Sequence, residues 1–126
     1  MVFVWVEKNR WFLWAMTFFT FVFIFYVSSL SFASPPPGAP SLSAIVYHAS
    51  VFFALAFFLF SSVLWRNMNA KAFILCIMVA LSYAALDELH QFFVPGRFMS
   101  FNDIIYDSLG IALASLLYFI IVSRKS

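Results

Sequence analysis

Residues 87–110 read DELHQFFVPGRFMSFNDIIYDSLG. They hold four of the chain's five acidic residues, one of its two histidines, Arg97 and a Pro-Gly turn. Long runs of Phe, Leu, Ile, Val and Ala lie on both sides. A proline disfavours helix in the residue before it and glycine tolerates a sharp turn, so Pro95-Gly96 punctuates two apolar helices. The stretch is a polar hairpin set in an apolar chain. An ionisable cluster in such surroundings reads as a functional site by default.

Working outward, the composition bounds the class. The chain has 126 residues, 65% of them hydrophobic and 10% charged. Soluble domains carry about 25% charged residues, and no soluble fold of this size hides so much apolar surface. The solvent is lipid, and residues 1–126 form a single membrane domain. A formal charge of +2 without a basic cluster excludes a nucleic-acid partner. Cys76 is the only cysteine, so no internal disulfide forms, and its apolar setting makes it a packing residue.

The fold class expected is all-α and polytopic, with four transmembrane helices at about residues 11–33, 42–65, 70–94 and 102–122. Each apolar run approaches or exceeds the roughly 20 residues that cross a bilayer. The first follows a charged collar, Glu7-Lys8-Asn9-Arg10. It is longer than the roughly 7–15 residues of a signal-peptide core, which favours a retained anchor, although Ser31-Phe32-Ala33 looks like a cleavage site. The segment Pro35-Pro36-Pro37-Gly38-Ala39-Pro40 cannot be helical and reads as an extended uncharged loop. Ser41 or Ser43 is placed to cap the second helix, and Ser100 or Asn102 the fourth, with Asp103 in its first turn. Arg66-Asn67-Met68-Asn69 is a tight polar turn. Six of the seven basic residues fall in the N-terminal segment, in or just after this turn, and at the C-terminus. The positive-inside rule then puts both termini in the cytoplasm of a multi-pass protein of the cell membrane.

That topology gathers the polar residues in one layer of the outer leaflet. His48 lies near the outer end of the second span, and Asp87, Glu88, His90 and Gln91 in the last turns of the third. Asp103 and Asp107 begin the fourth. At 1.5 Å rise per residue, Asp87 sits roughly 10 Å below Val94, and Asp107 roughly 6 Å below Asp103. At about 100° per residue, Tyr83, Asp87, His90 and Gln91 share one side of their helix, with Glu88 at its edge. Asp103, Asp107, Gly110 and Ala114 form one stripe. Small residues let membrane helices approach closely, so Gly110-x-x-x-Ala114 is expected against Ala80-x-x-x-Ala84. The clusters Phe18-Phe19-Phe21 and Phe57-Phe58-Phe60 are expected to face lipid.

The candidate catalytic residues are Asp87, Glu88, His90 and His48; the candidate substrate-binding residues are Arg97, Gln91, Asp103 and Asp107. An unpaired carboxylate two turns inside a bilayer costs about 2.5–3.5 kcal/mol, so Asp87 needs a partner or a task. Arg97 suits a phosphate, onto which a guanidinium forks two hydrogen bonds. A histidine moves protons near neutral pH. Taken singly, Asp103 also reads as a cap, Arg97 as a headgroup anchor and His48 as an interhelical hydrogen bonder. A purely structural network of Asp87, Asp107, His48 and Arg97 is the alternative. Asp-Glu-x-His lacks the spacing of a strong zinc motif, so no cofactor is expected and a divalent metal stands as a variant.

Asp87-Glu88-Leu89-His90-Gln91, Val94-Pro95-Gly96-Arg97, Ser100-x-x-Asp103 and Gly110 together resemble the signature of the VanZ-like family. His48 with Phe52 matches the end of an earlier family motif, so the motif-bearing part runs from about 44 to 122. Ala44-Ile45 replaces that motif's acidic-basic pair, and Asp107 stands where asparagine is usual. The resemblance implies a small integral membrane protein of the cell envelope. Resistance to teicoplanin, linked to one member, is not carried over. The function expected is an outward-facing polar pocket that binds or modifies an envelope lipid or phosphate-bearing headgroup. The alternatives are a non-catalytic module for a membrane-protein partner or a homo-oligomer, and a small proton-linked transporter.

Overall fold

The computed structural model describes residues 5, 6, 8–31, 41–65 and 67–124. It is built of four helices, with no strand among the described residues: α1 (Arg10–Ser28), α2 (Leu42–Leu64), α3 (Ala70–Phe92) and α4 (Phe101–Ser123). Each is long and apolar enough to cross a membrane. Their outward surfaces carry large apolar side chains such as Phe18, Phe19, Leu75, Met78, Leu116 and Phe119. Such a surface suits acyl chains and not water. The proline segment within residues 32–40 lies outside the described residues, as do Phe32 and Ala33 of the cleavage-like segment, Glu7, Arg66 and Lys125.

Local chemistry sets the helix ends. The hydroxyl of Ser41 accepts the Ala44 N–H at 3.2 Å, which makes it the cap of α2. Asn69 does the same for α3, its Oδ1 accepting the Ala72 N–H at 3.1 Å. Ser100 stands at the start of α4 without a side-chain capping bond, although Asp103 does occupy the first turn. Two helices stop earlier than apolarity suggests. After α1 ends at Ser28, the Leu30 N–H bonds back to the Val27 carbonyl at 3.1 Å. Arg97 then takes the carbonyls of Val27 and Leu30, at 2.7 and 2.9 Å. After Phe92, the N–H of Val94 turns back to Gln91, and Gly96 adopts φ 79°, a left-handed conformation that glycine enters without a Cβ clash.

α2 is the central helix, packed on all three others, with its largest contact on α4; the backbones of α1 and α4 are not packed closely together among the described residues. The reason for the α2–α4 pairing is Gly110. A Cβ there would lie 2.1 Å from the Ala49 carbonyl oxygen and 3.0 Å from the Phe53 nitrogen, so α4 rests directly on the backbone of α2. This corrects the expected pairing of Gly110 with the Ala80/Ala84 face. Ala80, Ala84 and Ala114 are fully buried all the same, in a core with Phe52, Leu55, Phe60 and Ile111. Phe60 is thus a core residue and not lipid-facing, because a helix with three neighbours keeps little surface for lipid. Cys76 is buried as expected. At the end away from the polar hairpin, Thr17 and Ser62 share a hydroxyl contact of 3.0 Å, and Arg10 donates to the Ser62 carbonyl at 3.1 Å.

Candidate functional site

Alternating helix directions bring the C-terminal ends of α1 and α3 and the N-terminal ends of α2 and α4 together. Nearly all the polar side chains singled out in the sequence meet there, in two adjoining networks.

The first joins α2 to α4. His48, one and a half turns into α2, is buried, and its Nδ1 lies 2.8 Å from Asp107 Oδ1. The contact fixes the imidazole orientation, and if the carboxylate is ionised it can only accept, which puts the proton on this nitrogen. Nε2 points toward Asp103 Oδ2 at 3.6 Å. Asp107 itself is fully buried, and its second oxygen, Oδ2, has no hydrogen-bond partner.

The second network joins α3 to α1 and to the start of α4. The Gln91 amide donates to Asp87 Oδ2 at 3.1 Å and to Glu88 Oε1 at 3.3 Å. The Ser28 hydroxyl donates to the other oxygen of Asp87. Glu88 Oε2 accepts the backbone N–H of Ser100 at 2.9 Å. A carboxylate is favoured at a helix N-terminus, where backbone donors lack intrahelical partners. Asp87, Glu88 and Gln91 are all buried, so three polar side chains on one helix stand away from both lipid and water.

Arg97 and His90 differ from the rest. Arg97 ties the hairpin to the end of α1 through its two carbonyl bonds, while also lining the cavity described below. His90 turns toward α1: it stacks on Phe25 with ring centroids 4.7 Å apart, and Nε2 lies 2.9 Å from the Ser29 hydroxyl. It therefore faces α1 beside Asp87, whose own partner there is Ser28, and it does not line the cavity described below.

Between α1, α2 and α3 opens a cavity of about 360 Å³ whose polar lining is Ser28, Ser43, Tyr47, His48, Gln91 and Arg97. That is near the lower end of small-molecule pocket volumes, about 300–1,000 Å³. The hydroxyl of Tyr47 is buried beside it without a hydrogen-bond partner. Behind the His48 wall, ligand atoms of His48, Glu88 and Asp107 all lie within 4.8 Å of one another, close enough to converge on a cation.

Sequence reading missed Ser28, Ser43 and Tyr47 as cavity residues. A signal for Ser28 was present. Leu13, Thr17, Thr20, Ile24 and Ser28 form the buried stripe of α1, at spacings of three and four that trace one helical face. Three small hydroxyl residues on that face mark it as the side turned toward protein.

A family model described as VanZ/LLP1 matches residues 2–122, which include every residue of both networks. No curated protein and no solved structure matches the chain.

Proposed function

The chain belongs to the VanZ/LLP1 family of multi-pass membrane proteins, and we propose that its cavity receives the phosphate-bearing headgroup of an envelope lipid. The observation that carries this reading is the cavity wall: Arg97 from the hairpin, His48 from α2 and Gln91 from α3 all face one opening. Arg97, held in place by its bonds to α1, brings to the wall a fixed positive charge that attracts a phosphate. His48 is steadied by Asp107 and turns its imidazole to the cavity; Ser28, Ser43 and Tyr47 supply hydroxyls. Asp103 borders His48. Asp87 and Glu88 act behind the wall, fixing Gln91 and the start of α4. The basic residues of the N-terminal segment, the 66–69 turn and the C-terminus support a cytoplasmic location for both termini, which turns the cavity outward.

Binding is the core of the proposal. A hydrolytic or transfer step would use His48, backed by Asp107, to move a proton at the headgroup. His90 is held against α1 by Ser29 and Phe25 and is not part of the cavity wall. A proton-linked transporter needs a polar path across the bundle, and the opposite half is dominated by the Phe, Leu and Ala core. The geometry therefore favours binding over transport.

The test is direct. Protein in nanodiscs of zwitterionic lipid is titrated with a short-chain phosphatidic acid and with the matching diacylglycerol. Saturable binding of the phosphate lipid, weakened about tenfold or more in Arg97→Lys, supports the proposal. Equal affinity for the two lipids refutes it. Phosphate release in the same samples separates a modifying enzyme from a binding protein.

A further inference from the structure

We propose that His48, Glu88 and Asp107 form a divalent-cation site behind the cavity wall. The three side chains come from α2, α3 and α4, and all are buried, with Glu88 and Asp107 at 0% exposure. One donor atom from each falls within 4.8 Å of the others.

The second observation is Asp107 Oδ2. Its partner oxygen takes the His48 bond, whereas Oδ2 is buried without any hydrogen bond. A buried polar atom left unpaired costs about 1–3 kcal/mol, and more if charged, so it calls for an occupant. Water could serve a lone hydroxyl. An anionic oxygen beside a second carboxylate is served better by a cation, which offsets the like-charge repulsion between Glu88 and Asp107.

The surroundings are those of oriented ligands. Glu88 is aimed by two donors, the Ser100 N–H and the Gln91 amide, and each of its oxygens keeps a lone pair for a metal. Bound at about 2.1 Å, ligand atoms around a metal stand on the order of 3 Å apart. The Asp107 carboxylate meets that spacing from His48, its Oδ1 lying 2.8 Å from Nδ1, and a cation held by both of its oxygens also serves Oδ2. Coordination through Nδ1 replaces the proton held between them, so cation binding releases it to solvent. One imidazole with two carboxylates and no thiolate suits Zn²⁺ or Mn²⁺ better than Mg²⁺ or Ca²⁺.

The role of this cation rests on the headgroup reading: it would stand where a phosphate oxygen entering past His48 completes its coordination. Its binding does not depend on that reading, and the experiment keeps the two apart. Chelator-stripped full-length protein in nanodiscs is titrated separately with ZnCl₂ and MnCl₂. One equivalent of at least one metal per chain is expected, with affinity falling about tenfold or more in Glu88→Gln and in Asp107→Asn, and less in Asp103→Asn. Should either variant fail to fold, pulsed EPR of Mn²⁺ on the unaltered protein decides: nitrogen modulation from one imidazole supports the site. Absence of stoichiometric binding, binding unchanged in both variants, or bound Mn²⁺ without nitrogen coupling overturns it. Phosphatidic-acid binding that persists in protein unable to bind metal removes the cation alone. Metal binding without phosphate-lipid binding removes the headgroup reading and leaves the site.

Discussion

Gly110 has no room for even a methyl group, since a Cβ would sit 2.1 Å from the Ala49 carbonyl oxygen. The neighbour is backbone and cannot swing aside, so Gly110→Ala must push α4 away from α2 and disturb the His48–Asp107 bond one turn above. A loss of about 1–3 kcal/mol is expected, the usual cost of overpacking, read as a lowered melting temperature in detergent. An unchanged melting temperature would show that the two helices are not in backbone contact. Arg97 makes a second test at this scale. Arg97→Ala removes two charge-assisted bonds to the end of α1. Bonds of this kind contribute about 1.5–3 kcal/mol each, so a stability loss of about 3 kcal/mol or more is expected alongside the loss of headgroup binding. Arg97→Lys keeps the charge and some of the carbonyl bonding, and should separate folding from binding. Arg97 was legible in the sequence as a loop cation. Its bond to α1 was not, because the acceptors are backbone carbonyls freed by the early end of that helix, which no side-chain pattern announces.

At the scale of helices, α1 is joined to α3 by a ladder of polar contacts, Tyr83 on the Phe21 carbonyl, Ser28 on Asp87 and Ser29 on His90. Ser28→Ala leaves a buried Asp87 oxygen without its donor and should cost about 1–3 kcal/mol. Thermal unfolding followed by circular dichroism measures it; a shift within error would mean the contact carries no stability. Asp87→Asn keeps the shape and changes the hydrogen bonding. It is expected to leave insertion and helix content intact while weakening headgroup binding about tenfold, through the disturbed Gln91 and Ser28. Loss of insertion would instead assign Asp87 a structural role alone. The four helices could be read from apolar runs broken by Pro-Gly and by Asn and Ser caps, since both signals are local. Which helices pair could not. Small residues occur on α2, α3 and α4 alike, and only the register of the packed bundle selects Ala49 over Ala80 and Ala84 as the neighbour of Gly110. His90 keeps the side of α3 that the sequence assigned it but does not line the cavity. Its azimuth on α3 is close to that of Asp87, but α1 lies on that edge and supplies Ser29 and Phe25.

For the whole molecule, four spans place both termini on one side, and the cavity opens at the opposite end of the bundle from the N-terminal collar. An enzymatic topology reporter fused after Arg124 should report the cytoplasm, and one inserted between Phe98 and Met99 the exterior; the reverse pattern would turn the cavity inward and remove envelope lipids as its ligands. The common depth of the polar groups was legible because span length and charge placement are properties of the entire chain. The cavity depends on the same organisation. The measurement that tests it most directly is the reaction rate of Ser43→Cys, in a Cys76→Ala background, with a membrane-impermeant maleimide added outside right-side-out vesicles. Rapid labelling, slowed about tenfold by short-chain phosphatidic acid and unaffected by the matching diacylglycerol, is the predicted result. Labelling only from the cytoplasmic side, or an external rate indifferent to the phosphate lipid, would contradict an outward-facing headgroup pocket.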